Sequence, residues 1–133
     1  VDALGMGERS ENEISRFILD AAFRVHTALG PGLLESAYEA CLAYELREVG
    51  LKVLVQIPLP LIYKSVKLDV GYRLDLLVDD LVIVEIKAVD ALIPVHQAQL
   101  LSHLKLSGKK LGLLINFHVL HLKQGIKRVA NGL

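Results

Sequence analysis

The chain has 133 residues, the size of one domain built on one core. A hydrophobic fraction of 53% and a mean hydropathy of +0.44 exclude a disordered or fibrous chain and favour a sheet with covered faces. Formal net charge is zero, so bulk charge names no partner. No apolar run is long enough to span a bilayer, and no basic segment followed by an apolar one reads as an export signal. Cys41 is the single cysteine, which rules out an internal disulfide and points to a reducing cytoplasm.

Residues 1–10 read as an N-terminal tail and 11–133 as one domain. Ser10 and Glu13 form the S-x-x-E pattern of a capping box. Ile14, Phe17, Ile18, Ala21, Val25, Ala28 and Leu29 then recur at helical spacing, predicting a helix over 11–29. Gly30-Pro31-Gly32 stops it. A second helix is expected over 33–49, with Leu34, Ala37, Tyr38, Cys41 and Leu42 on one stripe and Gly50 just past its end. The period then changes. Residues 51–57 and 59–63 are strand-like, with Pro58 and Pro60 suiting an edge or a bulge. Residues 66–78 read as one longer strand bent near Gly71, and Asp79-Asp80 as a tight turn. Residues 81–89 form a nearly continuous apolar run, the pattern of a central strand. Pro94 opens a third helix to Ser107, ended by Gly108. Residues 111–117 form another apolar strand, and 119–130 a short final helix that Gly125 weakens. The order is α-α-β-β-β-β-α-β-α. A helix between two apolar strands implies a crossover to a parallel neighbour, hence an α/β fold with a mixed sheet flanked by helices.

Glu85 and Lys87 break the apolar run. They lie two apart in a strand, so both leave the same face. A buried charge without compensation costs several kcal/mol, on the order of what one mutation can remove from a fold, so a partner, a metal or a wet cleft is required. Asp75 is the natural third member, across the turn. A two-residue turn at Asp79-Asp80 would set Asp75 opposite Val84, on the wrong face. A three-residue loop or a bulge would set it beside Glu85, and that shift is the expectation. Two carboxylates with a backbone carbonyl and waters would suit Mg²⁺ or Mn²⁺. The residues alone leave open a plain Glu85–Lys87 ion pair on a half-exposed strand.

Asp75…Glu85-Ile86-Lys87 resembles the PD-(D/E)XK nuclease signature, and the element order is similar to that superfamily's restriction-endonuclease-like three-layer core. The chain looks closest to its GxxExxY subfamily. Gly32-Leu33-Leu34-Glu35-Ser36-Ala37-Tyr38 carries that motif, and Val84-Glu85-Ile86-Lys87-Ala88 and Leu113-Leu114-Ile115-Asn116-Phe117 also resemble it. The similarity covers residues 12–133. It implies a divalent-metal-dependent nuclease that hydrolyses phosphodiester bonds in DNA. Asp75, Glu85 and Glu35 would hold Mg²⁺ or Mn²⁺, Lys87 would assist the attacking water, and Gln99 would complete the catalytic set. Gln99 matches the first residue of a Q-x-x-x-Y element found in related nucleases, whose last position here is His103.

Other residues are open to two readings. His96, Gln99 and His103 share one helix face, which flanks the phosphate or is simply polar. No acidic residue follows Asp90, whereas Lys105, Lys109, Lys110, Lys123, Lys127 and Arg128 do; this basic third is a phosphate-facing surface, with Lys109 and Lys110 as substrate-positioning candidates, or an ordinary solvated face. His26 reads as a satisfied boundary histidine, and Tyr38 and Tyr44 as core aromatics. Against the nuclease stands a catalytically inactive module of the same fold that binds nucleic acid or a protein partner. The apolar composition also makes a homo-oligomer conceivable.

Overall fold

A computed structural model describes residues 9–133; of the expected tail, residues 1–8 lie outside the described residues. Two helices come first, α1 (Glu11–Leu29) and α2 (Glu35–Glu48). Ser10 caps α1 as expected: its hydroxyl accepts from the Glu13 N–H, and the Glu13 carboxylate accepts from the Ser10 N–H. The buried stripe of α1 is Ile14, Ile18, Ala21, Ala22 and Val25. Phe17 and Leu29 lie outside it, and the Arg9 guanidinium covers the Phe17 ring. On α2 the stripe is rotated towards Tyr38, Leu42, Ala43 and Leu46, leaving Leu34 exposed.

Five strands form a mixed sheet. They are β1 (Val53–Pro58), β4 (Arg73–Val78), β5 (Val82–Lys87), β6 (Leu111–Asn116) and β7 (Ile126–Ala130), in the order β1-β4-β5-β6-β7. β5 and β6 are parallel, joined through helix α3 (Pro94–Ser107); the other neighbours are antiparallel. Leu76, Val78, Val82, Val84, Ile86, Leu113 and Ile115 pack under α1 and α2. Leu77, Ile83 and Leu114 pack under Leu100 and Leu104 of α3. The result is three layers, helices on both faces of the sheet. Gly112 permits the close approach of α3, because a Cβ there would run into the Leu100 side chain. Among the described residues, no helix is long and apolar enough to cross a membrane.

Two expectations are corrected. The single strand expected over 66–78 is divided. Its first part, β3 (Val66–Leu68), pairs with β2 (Leu61–Tyr63) as a separate two-stranded hairpin, and only the second part enters the sheet as β4. Pro58 and Pro60 interrupt the chain before the hairpin, and Gly71 at φ 82° redirects it afterwards. The short helix expected over 119–130 is a 3₁₀ turn, Leu122–Gly125, followed by β7. The free edge of β6 needs a backbone partner, and β7 supplies it along Leu111–Ile115. Gly125 makes the entry possible, since its Cα lies where a Cβ would collide with the Asn116 carbonyl oxygen. Lys127 and Arg128 on this outer strand discourage further edge pairing.

Candidate active site

The connection between β4 and β5 fixes what faces what. Asp79 stays on the ladder with β1, its N–H donating to the Lys52 carbonyl (2.8 Å) and its Oδ1 accepting from the Lys52 N–H (2.9 Å). Pairing of β4 with β5 therefore closes only at Val78 and Val82, leaving a three-residue loop, Asp79-Asp80-Leu81. Asp79 and Asp80 both take the left-handed backbone (φ 50° and 60°), which Asp tolerates better than most residues. Leu76 then pairs with Val84. The next position along brings Asp75 opposite Glu85, on the face that carries Leu77 and Ile83, as the longer loop required.

At that position the sheet forks. β4 continues along β1 to Arg73, and β5 continues along β6 to Lys87, but their mutual pairing stops at Leu76 and Val84. Side chains replace the missing ladder. The Asp75 N–H donates to Glu85 Oε2 (3.3 Å), and the Ile86 N–H donates to Asp75 Oδ2 (2.8 Å). Two residues on, the Ala88 N–H donates to Glu35 Oε2 (3.0 Å) from the start of α2. Residues two apart in a strand send their N–H groups the same way, so Asp75 and Glu35 take up the donors that a continuing β4 would have met.

Each carboxylate is held from a second side. Glu85 is 7% exposed, and its Oε1 lies 3.0 Å from Nδ1 of His103 on α3. Asp75 Oδ1 accepts from Gln56 Nε2 (3.3 Å), which also donates to Glu39 Oε1 (2.8 Å). Burial pushes the Asp75 carboxyl up to about 6 from 3.8, and the charges of Glu85 and Glu39 push the same way against the hydrogen bonds from Ile86 and Gln56. Lys87 lies beside them and pairs with neither: Glu85 is bonded to His103, so the plain Glu85–Lys87 ion pair is not formed.

A cleft of about 630 Å³ opens over this group. It is lined by Asp75, Glu85 and Lys87, by Gln99 and His103 of α3, and by Leu61, Tyr72 and Arg73. Glu35 borders it and also borders a second hollow with Glu39 and Gln56. Of the expected residues, Glu35, Asp75, Glu85, Lys87, Gln99 and His103 are thus gathered in one place. Three are not. His96 turns back to accept the Ile93 N–H at its Nδ1 (3.1 Å), capping its own helix rather than flanking the cleft. Lys109 and Lys110 precede β6, whose first residue pairs with Val82; they lie about 17 Å of strand away from Lys87. Lys109 there binds Asp80 (3.3 Å) at the turn.

The GxxExxY residues act on the approach to Glu35. Tyr38 is fully buried and stacked on Phe117, with ring centroids 4.6 Å apart. Its hydroxyl donates to the Gly30 carbonyl (2.6 Å) and accepts from the Leu33 N–H (3.1 Å), tying down the corner that delivers Glu35. Gln56, Glu39 and Asn116 were not expected from sequence. Asn116 is 1% exposed, and its side chain brackets both backbone groups of Val89 (3.1 and 2.8 Å), holding the strand exit beyond Lys87. Its signals were an amide ending a run of buried aliphatic residues and its place in the Leu113–Phe117 segment that resembles the subfamily. Gln56 and Glu39 had none, because they meet Asp75 only through the fold.

The profile of the PD-(D/E)XK nuclease superfamily matches residues 12–129. The chain belongs to this superfamily. No match was found among curated proteins or among solved structures.

Superfamily members of this kind use divalent metals, and the donors here can be tested for fit. Among the described residues, no group of three or more His, Cys, Asp or Glu is arranged to hold a metal ion. Two carboxylates do share one buried position, and their mutual repulsion helps hold the Asp75 proton. Hard oxygen donors of this sort fit Mg²⁺ or Mn²⁺, which take one or two carboxylates and fill the remaining positions with water, backbone carbonyl or phosphate oxygens.

Proposed function

We propose that this chain is a divalent-metal-dependent nuclease that hydrolyses phosphodiester bonds in DNA, within the GxxExxY subfamily and in a reducing cytoplasm. The observation that carries the reading is the Asp75–Glu85 pair at the fork, with Lys87 unpaired by either carboxylate on the same face. Asp75 and Glu85 would hold Mg²⁺ or Mn²⁺. The ion would supply charge for a phosphoryl oxygen and acidify a bound water. Lys87 offers an ammonium to the charge that grows on the phosphorane and orients the attacking water. His103 fixes the Glu85 rotamer, and Gln56 fixes Asp75. Glu35, bonded to Ala88, sets where β5 leaves the sheet and hence where Lys87 points; it borders the ion site. Gln99 contacts substrate from the α3 wall. Purified protein with Mn²⁺ should cleave DNA, and Lys87→Ala should abolish cleavage without changing the melting temperature. Cleavage that survives Lys87→Ala sinks the proposal.

The His103–Glu85 bond favours a second reading, a module of the same fold that binds nucleic acid without cutting it. A partner that already satisfies Glu85 competes with an ion for its lone pairs. Calorimetry with Mn²⁺ separates the two: equal heats for wild type and Asp75→Asn would support the inactive module.

A further inference from the structure

The hairpin β2–β3 is not part of the main sheet, and it adjoins the cleft. Leu61 and Leu68 are cross-strand partners, as are Tyr63 and Val66, so these four side chains share one face. Leu61 at the near end lines the cleft beside its exposed partner Leu68, and Tyr63 and Val66 continue outward to the tip, also exposed. The chain then returns through Tyr72 and Arg73, which also line the cleft. Tyr63 is 60% exposed and Tyr72 47%, so both rings offer surface to a ligand. The Tyr72 ring lies 5.8 Å from the ring of His103, Glu85's partner, tilted 50° to it.

Positive charge accompanies these rings. Lys64 occupies the hairpin turn in the left-handed backbone (φ 57°), with its Nζ 5.6 Å from the Tyr63 ring centre. Arg73 follows and lines the cleft, whereas Lys67 pairs with Ile62 and leaves the other face of the hairpin; Asp69 is the one acidic residue between Leu61 and Arg73. The cleft itself has the volume of a small-ligand pocket, which admits one or two residues of a nucleic-acid chain rather than the face of a duplex. Aromatic faces interleaved with lysines suit unpaired bases, which stack on rings while their phosphates meet cations. A duplex offers no free base faces to Tyr63 and Tyr72.

We infer that the hairpin and the cleft wall form a platform for single-stranded DNA, with bases stacked on Tyr63 and Tyr72 and phosphates held by Lys64 and Arg73. This rests on the nuclease reading for its direction: the platform feeds an unpaired strand to Asp75, Glu85 and Lys87. An apolar β-face could instead bind a second copy of the chain, but that would not call for Lys64 and Arg73 beside it; the positive charge matches phosphate.

The test is fluorescence anisotropy of the full chain in EDTA, with a fluorescein-labelled oligo-dT of about twenty nucleotides and a duplex of the same length as probes. The oligo-dT should bind at least about tenfold more tightly than the duplex. Tyr63→Ala and Tyr72→Ala should each weaken oligo-dT binding about fivefold or more, whereas Tyr63→Phe should not, because stacking needs the ring and not the hydroxyl. Lys64→Ala should lower the salt dependence of binding by roughly one released ion. Thermal melting of each variant checks folding. Equal or tighter binding of duplex, or unchanged binding in both alanine variants, overturns the inference. So does a Tyr63→Ala variant that turns a dimer into a monomer by light scattering, which would assign the face to a second copy. If the wild type cleaves DNA with Mn²⁺ but shows no tyrosine-dependent strand preference, the platform fails and the nuclease stands. If oligo-dT binding depends on the tyrosines and no metal supports cleavage, the platform stands and the nuclease fails.

Discussion

Asp75 and Glu85 face each other where β4 and β5 part, and the Asp75 N–H donates to Glu85 Oε2 at 3.3 Å in place of a ladder bond. Two acidic side chains thereby do the work of backbone in a sheet that has opened. The arrangement is stable because each oxygen finds a donor, and costly because both charges are drawn from water together.

That cost predicts a stability change on removing the charge. The Asp75 carboxyl sits at about 6 in the fold against 3.8 as its ordinary value. A raised folded value means the folded state holds the proton more tightly, so stability falls as pH rises from about 4 through about 6 and is level above. The full shift would be about 3 kcal/mol, and water in the open cleft reduces it to roughly 1–2 kcal/mol. Asp75→Asn should therefore stabilise the protein by that amount above about pH 7 and by nothing below about pH 4. Urea melts at the two pH values check it; an equal change at both refutes the burial argument.

The same proton competes with metal. Below the Asp75 value, Mn²⁺ must displace it, so apparent affinity should fall about tenfold for each pH unit under about 6, and level off above. Calorimetric titrations between about pH 5 and 8 measure this. A flat profile would remove Asp75 from the ion site.

Gln56 is held in the left-handed backbone (φ 53°) where it bridges Glu39 and Asp75. Gly would relax that conformation and take the amide away. Relief of the backbone and loss of the donor to Asp75 Oδ1 offset each other, so Gln56→Gly should change stability by less than about 1 kcal/mol while weakening Mn²⁺ binding several-fold. A residue with only a packing role would give a loss in both.

Tyr38→Phe keeps the ring on Phe117 and leaves the Gly30 carbonyl and Leu33 N–H without their hydroxyl. The expected loss is about 1–2 kcal/mol of stability. Cleavage should fall by more than the melting curve explains, because the corner then aims Glu35 less well.

Gly125→Ala tests the entry to β7. Its Cβ would strike the Asn116 carbonyl, and backbone must move to admit it. A loss of roughly 2–4 kcal/mol is expected from such overpacking. Denaturant unfolding of the variant measures it.

Much of this molecule is local and was readable as such. The S-x-x-E box, the apolar spacing of 11–29, Pro94 and Gly108 each set an element end by its own chemistry, and all appear where expected. The charged residues Glu85 and Lys87 in an apolar strand marked the site, since a strand's period of two puts them on one face whatever the sheet. What sequence alone did not decide depends on partners far along the chain. Whether 126–130 is helix or strand was settled by the unpaired edge of β6, and no window of residues contains that edge. The pairing of Asp75 with Glu85 turned on Asp79 staying with Lys52, twenty-seven residues away, which lengthened the loop by one and set the face. Gln56, Glu39 and His103 join the carboxylates only because β1, α2 and α3 converge on the fork. Periodicity states which side of an element a residue leaves; only the assembled sheet, by satisfying its own backbone groups, decides what it meets there.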